Sequence, residues 1–192
     1  MTTKVWRLIE DYEKSGSFQM AADQILFQRE NHEIPILRLY TWNQLTLSIG
    51  KNQPLNQDVN LDWCLQNQIP VIRRSTGGKA VLHGNDLTYS ITASNRDVRF
   101  SRGVVETYKT ISQAFLLFFE KLGLQPIVKP HSSRKRIGDA HVCFVMPSAY
   151  EILIERKKII GSAQRQSTKA FLQHGTIPLE NQIEVLSEVF CD

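Results

Sequence analysis

Three stretches of the chain hold side chains whose types and spacing could do chemistry. The first is Arg73-Arg74-Ser75-Thr76-Gly77-Gly78-Lys79-Ala80-Val81-Leu82-His83. Paired glycines at a strand end let a ligand approach the backbone closely and leave amide N–H groups for it. An arginine nearby can hold a phosphate or carboxylate by two parallel bonds. By residue type alone, the stretch fits an anion or carbonyl site, and equally a tight hairpin with surface arginines. The second is Cys143-Phe144-Val145-Met146-Pro147-Ser148-Ala149-Tyr150-Glu151, which follows a basic run containing Arg134, Lys135 and Arg136. Positive surroundings lower a thiol from its free pKa of roughly 8.5 and enrich the nucleophilic thiolate. The competing reading is an inert buried cysteine. The third is Lys158-Ile159-Ile160-Gly161-Ser162-Ala163-Gln164. Its lysine could face an apolar pocket and polarise a thioester carbonyl or exchange a proton. It could also be a strand-edge lysine that blunts pairing.

The remaining histidines and cysteines add less. His83 follows an apolar strand, and an imidazole there suits a base or a structural hydrogen bond. We place it near the ligand and assign it no catalytic role. His131, His141 and His174 have no metal-ligand spacing. Cys64 falls in a short helical pattern and reads as core, and Cys191 lies at the end of the chain. Three widely separated cysteines form neither a disulfide framework nor a zinc motif.

These residues need a scaffold. Val5–Tyr12 alternates like a half-buried strand, and Ser17 is expected to cap a helix burying Phe18, Ala21, Ala22, Ile25 and Leu26. Pro35–Trp42 and Thr46–Gly50 read as strands joined by a polar turn at Asn43–Gln44. Leu61–Gln68 suits a short helix, and Pro70–Arg74, Lys79–His83 and Leu87–Ala93 suit strands. Gly103–Gly123 is the strongest helix, with Val104, Tyr108, Ile111, Phe115, Phe118, Phe119 and Leu122 on one face. Residues 129–142 read as a polar, basic loop. Tyr150–Ile154, Lys158–Ala163 and Phe171–Ile177 read as successive antiparallel strands, and 182–190 as a helix. The pattern predicts an α/β (α+β) fold, a mixed sheet flanked by helices, in a single domain over 1–192.

The composition is that of an ordinary globular chain, 42% hydrophobic and 22% charged. No apolar run approaches the roughly 20 residues of a membrane span, and Met1–Tyr12 lacks a secretory apolar region, so a cytoplasmic location is expected. A net charge of +4 could attract an acidic partner but does not argue for nucleic acid. Arg134, Lys135 and Arg136 without interleaved aromatics are weak support for that class.

Together the motifs resemble the biotin/lipoate protein ligase superfamily, over nearly the whole chain. Ile36–Asn52 looks like the family's first substrate-facing hairpin, and Arg73–Ser90 is similar to its lipoyl-binding signature. Cys143–Glu151 with Lys158–Gln164 looks like the later catalytic segment, and Gln173-His174-Gly175-Thr176-Ile177 follows in family order. The resemblance implies a mostly antiparallel catalytic domain of the biotin/lipoyl ligase type. Ligases of the family activate free lipoic or fatty acid with ATP and Mg, forming an acyl-adenylate. Transferases start from an acyl thioester, which is already activated, and need only a nucleophilic cysteine and no cofactor. The Cys-Phe-x-x-Pro-Ser arrangement is similar to the transferase branch, as is a basic residue at Lys79 after two glycines.

The resemblance therefore implies an octanoyltransferase, with the ATP-dependent lipoate-protein ligase as the alternative. From another class comes a non-catalytic lipoyl- or biotinyl-binding module, against which Cys143 and Lys158 speak jointly. In the transferase, Cys143 carries the octanoyl or lipoyl group and Lys158 stabilises developing charge. Arg74, Ser75, Thr76, Gly77, Gly78, Lys79, Ala80, His83, Gly161, Ser162 and Ala163 bind the acyl substrate, with Leu37, Leu39 and Tyr40 along its tail. The donor is an acyl-carrier protein or an acylated lipoyl domain, and the acceptor a lysine of a lipoyl domain or glycine-cleavage H protein. The enzyme is expected to act as a monomer without metal, nucleic acid, membrane or a separate C-terminal accessory domain. Two positions depart from the family pattern. Ala149 stands where related transferases often have tryptophan. Gly84 stands where an acidic residue often follows the histidine, with Asp86 as its candidate replacement.

Overall fold

The computed structural model describes residues 5–29, 32–55, 58–100, 103–128, 152–181 and 183–190. Strand β1 (Arg7–Lys14) and helix α1 (Gly16–Gln28) come first, then β2 (Ile36–Trp42) and β3 (Thr46–Ile49). Helix α2 (Leu61–Gln66) leads into β4 (Val71–Arg73), β5 (Val81–His83) and β6 (Asp86–Ser94). Helix α3 (Val104–Lys121) and β7 (Ile127–Val128) follow. The last described part holds β8 (Ile152–Ile154), β9 (Lys157–Lys158), β10 (Gly161–Gln166), β11 (Ala170–Pro178) and α4 (Ile183–Val189).

The strands form a five-stranded sheet in the order β1-β2-β6-β11-β10 and two three-stranded sheets, β4-β3-β5 and β7-β8-β9. Pairing is antiparallel except β1 with β2 and β3 with β4. The architecture is the expected mixed, mostly antiparallel one with flanking helices. Two expected strand arrangements differ. Strands β2 and β3 do not pair, because the Asn43 amide donates to the Lys14 carbonyl (3.1 Å) and the chain then swings into the second sheet. The run Lys158–Ala163 is likewise two strands. The Ile159 amide continues the β8 ladder through the Ile152 carbonyl (2.9 Å), Ile160 buries itself, and Gly161 starts pairing with β11.

Helix α1 also departs from expectation. Ser15, not Ser17, is its cap, with its hydroxyl accepting from the Phe18 amide (3.3 Å). The buried face carries Gly16, Gln19, Asp23 and Phe27, while Phe18 and Ile25 are 46% and 66% exposed. The polar face turns inward because Arg38, Tyr40, Ser90 and His174 wait there as partners for it. A buried polar side chain is tolerated only when so satisfied. In α3, Ile111 and Phe119 are buried as expected, whereas Val104, Phe118 and Leu122 are exposed.

Two apolar clusters bracket the site. One joins the five-stranded sheet to α3 through Tyr89, Ile91, Phe100, Ile111, Phe119, Ile160 and Phe171. The other packs β3 and β5 against α2 and α4 through Leu47, Ile49, Cys64, Leu82 and Val189. Burying each large side chain contributes roughly 1.5–3 kcal/mol. Cys64 is core, as expected, and burial pushes its thiol up.

Candidate active site

Between the five-stranded sheet and the β4-β3-β5 sheet lies a cavity of about 60 Å³. Its walls come from Tyr40 of β2, Ser48 of β3, His83 of β5, Thr88 of β6, Gly161–Ala163 of β10 and His174–Thr176 of β11, with Arg74 and Gly78 at one end. A Cβ at Gly175 would stand 2.6 Å from the Gly161 carbonyl oxygen, so only glycine lets β10 and β11 meet here.

The segment after β4 is held from inside. Arg74 is buried and donates to the Ser48 carbonyl (3.0 Å) and hydroxyl (3.3 Å), and to the carbonyls of Gly77 (2.9 Å) and Lys79 (2.7 Å). Its guanidinium therefore shapes the glycine loop rather than pointing outward as a bare anion hook. Arg73 plays a similar part on the outside, with one nitrogen donating to the carbonyls of Gly50, Lys51 and Gln53. Gly78 takes φ of +98°, a left-handed conformation that glycine adopts without strain. A Cβ at Gly50 would lie 1.9 Å from the Gly78 carbonyl oxygen.

Two hydroxyl–imidazole–carboxylate arrays border the cavity, one through His83 of β5 and the other through His174 of β11. In the first, His83 Nδ1 lies 3.0 Å from Asp86 Oδ2 and Nε2 lies 2.8 Å from Ser48 Oγ. An ionised carboxylate only accepts, so Nδ1 donates to it, and Nε2 of the neutral ring accepts the Ser48 hydroxyl. Trp42 stacks on the imidazole at 4.1 Å and 17°. Asp86 also accepts from Thr88 (2.8 Å), Thr176 and the Gly84 amide (2.8 Å). In the second array His174 Nδ1 donates to Asp23 Oδ2 (2.9 Å) and Nε2 accepts from Thr76 Oγ1 (2.6 Å). Asp23 further accepts from Tyr40 (3.0 Å), Ser90 (2.7 Å) and Arg38 (2.9 Å), and Arg38 is shared with Asp11 (2.7 Å) and Gln19.

The electrostatics follow from these contacts. Burial works to raise the Asp23 carboxyl, but the bond and charge of His174, then Arg38 and Ser90, outweigh it and hold the pKa below the usual range. Asp86 is lowered in the same way: burial opposes, and His83, Thr176 and the Gly84 amide prevail. Burial, and then the Asp23 charge, raise the Tyr40 phenol well above its ordinary value. Tyr89, buried beside Ser162 and Gln173, is pushed up to about 12. Both carboxylates therefore stay ionised, and both phenols stay neutral.

Among the residues expected at the site, Tyr40, Arg74, Gly78, His83, Gly161, Ser162 and Ala163 line the cavity. Thr76 stands just behind the wall through His174. Ser75 is half-buried, Gly77 is exposed, and Lys79 reaches Asp58 (3.4 Å); none of them lines the cavity. Further expected residues also lie off this cavity. Ala80 packs into the second apolar cluster. Leu37 and Leu39 alternate to the face of β2 opposite Tyr40 and pack on the first cluster, so they do not flank the cavity. The apolar side opens instead past Ser162 toward Tyr89, Phe115, Ile152 and Ile160, where a second, smaller void of about 10 Å³ lies. Lys158 sits on β9, is half-buried, and is not among the cavity-lining residues. Cys143 and the basic residues Arg134, Lys135 and Arg136 lie outside the described residues, as do His131, His141, Ala149 and Cys191. Among the described residues no group of His, Cys, Asp and Glu could hold a metal.

The family model of the lipoyl protein ligase A/B catalytic domain matches residues 15–192. The chain belongs to this family. Members of the lipoyl protein ligase A/B family similar to it include octanoyltransferase LipM of Bacillus cereus, 37% identical over 99% of this chain and 71% of that protein. LipM of Carboxydothermus hydrogenoformans is 38% identical over 97% and 69%. Lipoate-protein ligase A bound with ATP superposes with a TM-score of 0.79 at 27% identity, over 97% of this chain and 71% of that one. The bi-partite lipoate protein ligase of Thermoplasma acidophilum, studied with its E2 lipoyl domain, gives 0.78 at 25%, over 99% and 68%. The chain is thus an enzyme of a family whose members are transferases and ligases.

For a family member, the residues that sequence reasoning missed are instructive. Asp23 and Ser48 complete the two arrays without having been named as site residues, whereas Asp86 was expected as a replacement for an absent acidic neighbour and His174 belongs to the Gln173–Ile177 segment found in family order. The signal for Asp23 was present: Gln19 and Asp23 share a helix face at i, i+4 spacing among apolar neighbours.

Proposed function

We propose that the chain transfers an octanoyl or lipoyl group from a carrier thioester to a lysine of a lipoyl domain, through a thioester on Cys143. The observation that carries the reading is the cavity itself. Glycine backbone and the hydroxyl residues Ser48, Thr88, Ser162 and Thr176 line a space that suits a thioester carbonyl, and Arg74 is turned to the loop rather than to a phosphate. At about 60 Å³ the space holds roughly four water-sized groups at ~15 Å³ each, enough for the carbonyl and first methylenes. The tail then leaves past Ser162 along the apolar side. The named LipM relatives are octanoyltransferases, which supports the octanoyl group and the transferase chemistry.

In this reading the Cys143 thiolate attacks the donor thioester and expels the carrier thiol. The backbone at Gly78, which lines the cavity, helps hold the oxyanion, and Lys158, half-buried on β9 and outside that lining, has to approach it for the charge stabilisation expected of it. The acceptor lysine then attacks the enzyme thioester and leaves as an amide, a downhill exchange that needs no nucleotide. One observation favours a second reading, the ATP-dependent ligase: the likeness to lipoate-protein ligase A bound with ATP.

The test is incubation with octanoyl-carrier protein without ATP, followed by intact mass. The transferase gains one octanoyl group, sensitive to hydroxylamine and absent from Cys143→Ser. No adduct, with loading of free lipoate only when ATP is added, would transfer the assignment to the ligase.

A further inference from the structure

We propose that Ser48, His83 and Asp86 form the proton relay that accepts the proton of the attacking amine; the proposal rests on the transferase reading above. A free lysine has a pKa near ~10.4 and attacks only as the neutral amine. Once its nitrogen adds to the thioester carbonyl it becomes cationic. It must lose a proton before the C–S bond breaks in preference to the new C–N bond. A positioned acceptor is therefore required in the cavity.

The described groups at the cavity narrow the choice. Tyr40 is a donor whose phenol resists ionisation, and Asp23 and Asp86 are enclosed by hydrogen bonds. His174 meets Thr76, which stands behind the wall. His83 meets Ser48, and Ser48 lines the cavity. The ring is oriented as a general base requires: Asp86 fixes Nδ1 as the donor, Trp42 covers one face, and Nε2 is left to accept. Arg74 donates to Ser48 Oγ (3.3 Å), which occupies one lone pair of that oxygen and leaves its own proton for His83 Nε2. The charged and titratable groups around the relay are Asp86 and Arg74 in contact, with Tyr40 and His174 on the opposite wall.

The step balances. The amine N–H proton passes to Ser48 Oγ as the Ser48 proton passes to His83 Nε2. The C–S bond then breaks, and the imidazolium returns the proton by the same path to the departing thiolate. The sum is thioester plus amine giving amide plus thiol. Ser48 is the member that touches the reacting nitrogen, while His83 and Asp86 act through it.

The experiment loads the enzyme with octanoyl-carrier protein and chases the isolated acyl-enzyme with either a lipoyl domain or hydroxylamine. Hydroxylamine is neutral at pH 7 and strongly nucleophilic without base assistance. His83→Asn keeps an amide donor for Asp86 and removes the proton acceptor. It is expected to slow kcat for lysine transfer by about 10²–10⁴-fold, with little change in the KM for the lipoyl domain and less than about a tenfold effect with hydroxylamine. Ser48→Ala, a one-atom deletion, reads the same split if the histidine variant folds poorly. Equal slowing of both nucleophiles in either variant overturns the relay and leaves a structural role. No adduct on the wild-type enzyme overturns the transferase reading, and the relay with it. An adduct whose two discharge rates fail to separate sinks the relay alone.

Discussion

Asp23 is an ionised carboxylate with almost no exposure, and its four partners come from three strands: Arg38 and Tyr40 of β2, Ser90 of β6 and His174 of β11. Its folded pKa lies below the unfolded value near ~3.9, so the folded state binds fewer protons there. The stabilisation is complete above that unfolded value and is lost as pH falls through the lower folded one. Asp86 behaves alike. Acid unfolding monitored by circular dichroism should therefore steepen below about pH 4, and Asp23→Asn should flatten that dependence. At neutral pH, Asp23→Asn should cost about 3 kcal/mol, the lower end for a broken buried ion pair, because Asp11 still pairs with Arg38. At this scale the local motif from Arg74 to His83 was legible, since glycines and arginines declare themselves within ten or so positions. The His174–Asp23 bond joins residues 151 positions apart, and no window along the chain can show such a pairing.

Helix α1 and the strands around the cavity show why elements were easier to find than their faces. The existence of nearly every element follows from periodicity and turn residues, which are local. Which side of α1 is buried depends on what lies opposite, and a buried arginine on β2 reversed the apolar expectation. Thermal unfolding should confirm the observed face. Phe18→Lys and Ile25→Lys should change stability by no more than about 0.5 kcal/mol, while Gln19→Leu should cost roughly 1–3 kcal/mol by taking the Gln19 oxygen from Arg38 Nη2. The loop between β4 and β5 gives another test. In Gly50→Ala the new methyl must displace the Gly78 carbonyl, which pulls the glycine loop from Arg74. Octanoyl transfer should fall by at least about tenfold, an effect of ~1.4 kcal/mol on the transition state, with the far-UV spectrum unchanged.

Among the described residues the two larger apolar clusters lie on either side of a polar seam. Strands β2 and β3 lie on different sheets although only Asn43, Gln44 and Leu45 separate them, and β5 and β6 repeat the arrangement across Gly84 and Asn85. Each crossing carries one wall of the cavity into the other sheet. Hydrogen exchange should reflect this division: the central β6 and β11 amides, paired on both sides, should be the slowest. The two-residue strands β7 and β9 should exchange fastest, and equal protection throughout would contradict the division. The seam also holds an instrument of its own. Trp42 is buried with its indole flat against the His83 ring. A cationic imidazole in van der Waals contact drains an excited indole by electron transfer, whereas a neutral one does so far less. In a Trp6→Phe, Trp63→Phe background, light emitted by Trp42 should therefore report the charge on the neighbouring ring, and a transient dimming during lysine transfer is the expected trace of a proton resting on His83.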